Sequence, residues 1–146
     1  MEKTIEQHQQ LADFVSEHQP LLVITGAGCS TASGIPDYRD EKGNWKQKQP
    51  MDARDFIASE SNRKRYWARS MFGFPRVAAA QPAGVHHALR RLEKAGVLHH
   101  VITQNVDGLH QQAGSEKVLE LHGNLHWVIC LTAGTGWQGR KCRTPC

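Results

Sequence analysis

The chain lacks every feature that would send it into a membrane. No apolar run approaches the ~20 residues a spanning helix needs. The N-terminal stretch from Met1 to Phe14 is acidic and polar without an apolar centre, so it does not read as a secretory leader. Charge of one sign is also scarce: 18 Lys and Arg against 14 Asp and Glu leave a formal +4. That is far from the dense basic stripe of a dedicated nucleic-acid binder. Cysteine is sparse and badly placed for a framework. Cys29 stands alone, and Cys130 has no second cysteine within the spacing of a zinc pair, although Cys142 and Cys146 follow. These absences predict a soluble, cytoplasmic protein with no membrane and no nucleic-acid partner.

What is present suits one globular domain. The 146 residues are 39% hydrophobic and 22% charged, with a mean hydropathy of −0.54. Collagen-like and disordered chains are excluded by these values. Thr4 with Gln7 reads as a capping box ahead of Ile5, Leu11, Phe14 and Val15, an amphipathic helix ending near His18–Pro20. Leu21 to Thr25 is a short β-branched run between Pro20 and Gly26, the pattern of a strand buried on both faces. A long polar loop without periodicity covers 37–50. Two helices are predicted over 52–59 and 60–72, the second stopped at Phe74-Pro75, and a third from Pro82 to Ala95, capped by Gly96. Strands are predicted at Val97–Thr103, Val118–Leu121 and Leu125–Cys130. Helices alternating with strands indicate an α/β fold, a Rossmann-like doubly wound parallel sheet.

The first strand runs straight into Gly26-Ala27-Gly28-Cys29-Ser30. Small residues there let a backbone approach a pyrophosphate, while N–H groups of the following turn face the anion. Thr31 stands where the dinucleotide fingerprint has its third glycine, and no P-loop Gly-Lys-Ser/Thr occurs. On this turn alone, a nucleotide site and a plain strand-to-helix connection are equally good readings.

Three further blocks decide between them: Gly34-Ile35-Pro36-Asp37-Tyr38-Arg39, then Thr103-Gln104-Asn105-Val106-Asp107-Gly108-Leu109-His110, then Leu119-Glu120-Leu121-His122-Gly123. In this order, after the Gly-Ala-Gly turn, they resemble the sirtuins, the NAD-dependent protein-lysine deacylases. The likeness runs from Leu21 to about Leu131. It implies that Gly26, Ala27, Gly28 and Ser30 hold the NAD pyrophosphate. Asp37 and Arg39 would belong to the cofactor loop, with Ile35 and Asp37 near the nicotinamide carboxamide. Gln104, Asn105 and Asp107 would line the nicotinamide and ribose pocket, with Asn105 and His122 as the catalytic pair. In the family reaction the acyl-lysine oxygen attacks the nicotinamide ribose and nicotinamide leaves. His122 then helps deprotonate a ribose hydroxyl, which attacks the alkylamidate, giving free lysine and O-acyl-ADP-ribose. Imidazole suits that work because its ordinary pKa lies near working pH.

Other residues have plainer readings. His110 has no proton to move and reads as structural, like His86, His87, His99 and His100. Arg63, Lys64, Arg65, Arg69 and Arg76, with Tyr66 and Trp67, read first as a solvated helix face. The Tyr66-Trp67-Ala68-Arg69 block resembles the sirtuin-4-like branch and its bacterial relatives. Tyr66 and Arg69, three apart on one helix face, could also receive an acidic acyl chain.

The likeness stops near Leu131. The family continues from Cys130 as Cys-x-x-Cys toward a structural zinc, but position 133 is Ala. Cys130 is then the one ligand carried over, and the zinc site expected for the family is incomplete. With Thr132, Ala133 and Gly134 written ACT, GCG and GGG, one G restored after Leu131 reads Asp-Cys-Gly. A single-base deletion is therefore the expectation, with 1–131 an incomplete NAD-binding catalytic domain and 132–146 a tail outside the family. Cys142 and Cys146 would not be zinc ligands. Such a chain should leave an apolar sheet face bare and be aggregation-prone. The alternative to a deacylase is an inactive truncated fragment that at most binds NAD or ADP-ribose.

Overall fold

The computed structural model describes residues 2–46 and 49–139. Helix α1 spans Glu2–Glu17 and leads into strand β1, Leu21–Thr25. A 3-10 turn over Ala27–Ser33 follows, then α2 (Ala53–Ala58), α3 (Glu60–Ala79) and α4 (Gly84–Lys94). Strand β2 (Leu98–Thr103), α5 (Leu109–Gln112) and β3 (Val118–Glu120) come next. Strands β4 (Trp127–Ile129) and β5 (Gly136–Gln138) close the described chain.

The main sheet is parallel, in the order β1-β2-β3. Both β1–β2 and β2–β3 crossovers carry helices, as parallel pairing demands. Leu21 pairs with Leu98 but Leu22 pairs with His100, so His99 is an extra residue in β2. This bulge shifts the alternation and lets Leu98, Val101 and Thr103 all turn inward. Helix α4 covers that side: Leu89 packs with Leu98 and Val101, flanked by Leu21, Val23, Leu92 and Val118.

Among the described residues only that side is covered. Strand β1 was expected to be buried on both faces, yet Leu22 is 62% and Ile24 69% exposed, and Leu119 of β3 is exposed with them. A continuous apolar run reports that a strand is central but not which layers lie over it, and no described element covers this side. The apolar side chains of α1 are likewise open, with Ile5, Leu11 and Phe14 exposed.

Three further expectations are corrected. Helix α1 already includes Glu2, so Thr4 is inside it and not its cap. Helix α3 runs through Pro75 to Ala79. Proline removes one N–H and crowds the preceding turn, but its neighbours hold this stretch: Phe74 is buried edge-on to His126, and Arg76 donates to the Gly34 carbonyl at 3.0 Å. The strand predicted over Leu125–Cys130 does not join the parallel sheet. Its central part, β4, pairs antiparallel with β5 as a separate hairpin.

Caps explain the helix starts. Asp52 accepts the Asp55 N–H and Ser59 the Asn62 N–H, each satisfying a donor with no partner in the helix. At the end of α4, Glu93 ties the helix to the entrance of β3. Its nearly buried carboxylate accepts the Glu116 and Lys117 N–H groups and pairs with Arg90. Burial pushes the Glu93 carboxyl up, but those backbone donors and Arg90 outweigh it and the net direction is down. A depressed folded-state pKa gives stability that is present above the unfolded-state value and lost as pH falls through the folded one. Glu93→Gln should therefore cost about 1–3 kcal/mol in a urea melt at pH 7. That difference should close as the buffer is taken below the ordinary glutamate range.

Candidate active site

At the C-terminal ends of β1, β2 and β3, three segments meet: the 3-10 turn, the 104–109 connection and the 121–126 turn. Ligands bind at this end of open parallel sheets, where the loops diverge. A cavity of about 640 Å³ opens there, lined by Ala27, Ser30, Ile35, Gln104, Asn105, Asp107 and His122. With Tyr66, which also lines it, eight candidate site residues thus share one cavity. Their registry follows from the backbone: Gln104 N–H bonds the Thr25 carbonyl, and Leu121 N–H bonds that of Thr103.

The centre of this cavity is a chain of hydrogen bonds across distant segments. Asp107 is buried; its Oδ1 accepts the Leu109 N–H at 3.0 Å and its Oδ2 accepts the Ser30 hydroxyl at 2.7 Å. Asn105 Nδ2 donates to Ser30 Oγ and to the Gly26 carbonyl, both at 3.1 Å. Ser30, 1% exposed, therefore spends its one hydroxyl proton on Asp107. Toward an anion it offers backbone and not a hydroxyl donor. Asn105 has both amide protons engaged, which leaves its carbonyl oxygen for a ligand.

His122 is exposed, and its Nδ1 lies 3.0 Å from the Gln104 carbonyl. A carbonyl can only accept, so the proton of the neutral ring sits on Nδ1, and in that form Nε2 carries the lone pair. An oriented imidazole with a free lone pair is what a general base requires.

Not every expected residue lines this cavity. Gly26 enters through its carbonyl, while Gly28 lies outside the lining. Asp37 and Arg39 lie outside it too, in a loop clasped to itself. Lys46 Nζ meets Asp37 at 2.6 Å, and Arg39 lies 4.1 Å above the Trp45 ring and donates to the Gly43 carbonyl. Asp40 organises the turn by accepting the Lys42 and Asn44 N–H groups. Hydrogen bonds from Asn44 hold its carboxyl below the ordinary range.

Residues that sequence reasoning missed include Tyr38, Met51, Val77, Asn124 and Leu125, all in the cavity wall. Tyr38 lies in the Gly34–Arg39 block without an assigned role, and the others are scattered, mostly apolar, and carry no motif. A second cavity of about 390 Å³ adjoins, sharing His122, Tyr66 and Met51 and walled by Phe56, Ile57, Trp67, Trp127 and Ile129. Tyr66 stacks edge-on with Phe56 and Trp67. Tyr66 and Arg69 together line a third hollow of about 260 Å³ beside Tyr38.

Gly108 shows how tightly the far wall is built. It adopts φ +73°, and a Cβ there would lie 2.9 Å from the His126 ring. That ring is held by its Nε2, which donates to the Asp107 carbonyl at 2.9 Å. Gly108→Ala combines a left-handed backbone with a collision, and should destabilise the chain by about 2–4 kcal/mol in a chemical melt.

The metal expectation fares differently. Cys130 sits at the mouth of the β4–β5 hairpin, where the Ala133 N–H reaches its sulfur at 3.4 Å. The Ala133 and Thr132 N–H groups draw the thiol down from its ordinary value. Yet no cluster of three His, Cys, Asp or Glu side chains suited to a metal exists among the described residues. Cys142 and Cys146 lie outside them. The described donors do not fit a zinc centre, and no step below uses one.

The fold places a cavity lined by His122, Ser30, Asn105 and Asp107 at the C-terminal end of a parallel sheet. The Sir2 family model matches residues 26–145, and the chain belongs to that family. It is 56% identical over 137 residues to an NAD-dependent protein deacetylase of Xanthomonas axonopodis pv. citri, covering 94% of this chain and 45% of that protein. It is 54% identical over 127 residues to NAD-dependent protein deacetylase 2 of Bradyrhizobium diazoefficiens, covering 87% of this chain and 46% of that protein. Among solved structures, a Sir2–p53 peptide–NAD+ complex superposes with TM-score 0.76 at 33% identity, over 90% of this chain and 52% of that one. A Sir2 bound to acetylated peptide gives 0.77 at 34%, over 90% and 52%. The chain spans about half the length of the curated relatives it matches. No helix among the described residues is long and apolar enough to cross a membrane.

Proposed function

We propose that this chain carries the NAD-binding and general-base part of an NAD-dependent protein-lysine deacylase, residues 1–131, acting on acyl-lysine protein substrates. The observation that carries the reading is His122, its Nδ1–H given to the Gln104 carbonyl, in the wall of the cavity that Ser30, Asn105 and Asp107 also line. NAD supplies an electrophilic ribose carbon and nicotinamide as leaving group. Gly26, Ala27, Gly28 and the backbone at Ser30 hold the pyrophosphate. Ile35 packs near the nicotinamide, with Asp37 and Arg39 brought in when their loop opens. Asn105 uses its free carbonyl oxygen to orient the nicotinamide ribose, and His122 takes the proton from a ribose hydroxyl. The acyl-lysine enters along the aromatic wall of Phe56, Trp67 and Trp127. Tyr66 and Arg69, lining one hollow, select acidic or bulky acyl chains over acetyl. Cys130 is the one position carried over from the family's zinc site. The compartment proposed is the cytoplasm.

The test is two measurements on the purified chain: ADP-ribose binding by calorimetry, and nicotinamide release with acetyl- and succinyl-lysine peptides. Binding with release supports the reading. Binding without release leaves a fragment that holds ADP-ribose and does not turn over. Absence of both overturns it.

A further inference from the structure

Behind the cavity, outside the proposed chemistry, lie two histidines that water does not reach. His86 of α4 is 0% and His110 of α5 1% exposed. Their ring centroids are 4.8 Å apart at an interplanar angle of 59°. Each ring has one nitrogen bonded: His86 Nδ1 accepts the Ala83 N–H at 3.1 Å, and His110 Nε2 lies 3.0 Å from Thr25 Oγ1. Each also has one buried nitrogen without a partner, Nε2 of His86 and Nδ1 of His110. Buried polar atoms are rarely left so, because the desolvation is not repaid.

The proton count resolves both orphans together. A backbone N–H can only donate, so His86 Nδ1 is bare and the proton of a neutral ring is on Nε2. That orphan is then a donor. If His110 carries its own proton on Nε2, directed at Thr25 Oγ1, its orphan Nδ1 is an acceptor. The two orphans are complementary, and because they make no direct hydrogen bond, one buried water that accepts from His86 Nε2 and donates to His110 Nδ1 satisfies both.

We propose that His86 and His110 form a pair of neutral imidazoles, linked through these two nitrogens, that holds Thr25 and so fixes the Gly26–Ser30 turn for the cofactor. They are positioning residues: Thr25 is the last residue of β1, and the turn begins at the next position. Adding a proton to His86 sets N–H against the Ala83 N–H. A proton added to His110 removes the acceptor to which the bridging water donates. The pair works only uncharged. The charged and titratable groups near it are Asp107, which favours protonation of either ring, and His87, which disfavours it at His86. Burial is the larger influence and pushes both rings down; for His110 the His86 ring adds to it. Folded-state values below the unfolded ones mean that acid removes the pair's contribution as pH falls below the ordinary histidine range.

The positioning role rests on the proposed cofactor site, whereas the pair itself does not, and the test separates them. Long-range 1H–15N spectra of the imidazole-labelled full chain read each tautomer directly. The expected result is Nδ1 bare and Nε2 protonated on both rings, with both neutral at pH 6. Either ring charged at pH 6, or His110 protonated on Nδ1, overturns the pair. ADP-ribose titration then reads the positioning. His110→Phe should weaken binding at least tenfold. His110→Gln can still reach Thr25 and should stay within threefold of the parent at pH 7.5. Unchanged affinity in His110→Phe overturns the positioning role. If the unmodified chain does not bind ADP-ribose, the cofactor reading and the positioning role fall with it, and the tautomers still decide the pair.

Discussion

His122→Ala should lower nicotinamide release from NAD and acyl-lysine peptide by about 10²–10⁴, the usual contribution of a positioned general base. ADP-ribose affinity should stay within threefold, because His122 is exposed and its one protein bond is to the Gln104 carbonyl. Losing that bond leaves an acceptor at an exposed residue, which water satisfies, so the melt should not move. Steady-state nicotinamide assays beside calorimetry separate the two effects. A parallel fall in binding and turnover would mean that His122 holds ligand and does not move a proton.

Asp107→Ala should behave in the opposite way, losing fold and ligand together. The substitution strips the acceptor from the Ser30 hydroxyl and from the Leu109 N–H, both buried, and releases the Ser30–Asn105 contact. Each stranded buried donor costs about 1–3 kcal/mol, so a total of about 2–4 kcal/mol is expected in urea unfolding. ADP-ribose binding should weaken more than tenfold, because Asn105 and the Gly26 carbonyl lose their registry. Asp107→Asn is the informative companion. Its oxygen can still accept from Leu109 while its amide faces Ser30, whose hydroxyl must then turn to accept. A smaller loss than in Asp107→Ala locates the effect in the hydrogen bonds. Equal losses would mean that the charge itself matters.

These predictions draw on two kinds of information. The Gly-Ala-Gly turn, the Gln104-Asn105-Val106-Asp107 segment and His122 each have a plain reading alone, and became legible through the family resemblance that their combination carries. Their order along the chain also matched strand ends in a parallel sheet. The α/β alternation was legible from periodicity, which depends only on near neighbours.

What periodicity cannot carry is which partner a side chain finds when that partner is far away in sequence. Ser30 reads as a phosphate donor until folding puts Asp107 against its hydroxyl. Asp37 and Arg39 read as cofactor contacts, and folding also gives them Lys46, Trp45 and Gly43 as partners. Pro75 reads as a helix end until Phe74 and Arg76 are anchored by His126 and Gly34. His86 and His110 read as bland core residues, because two half-satisfied rings become a unit only when α4 and α5 meet behind β1. The apolar run of β1 shows the same division from the other side. Composition marked Leu21 to Thr25 as a strand, but among the described residues α4 covers one side of it and Leu22 and Ile24 are exposed on the other. Residue type and spacing set which elements form and what chemistry they can offer. Burial and hydrogen-bond partners, which exist only once distant segments pack, set which of those offers remain free for a ligand.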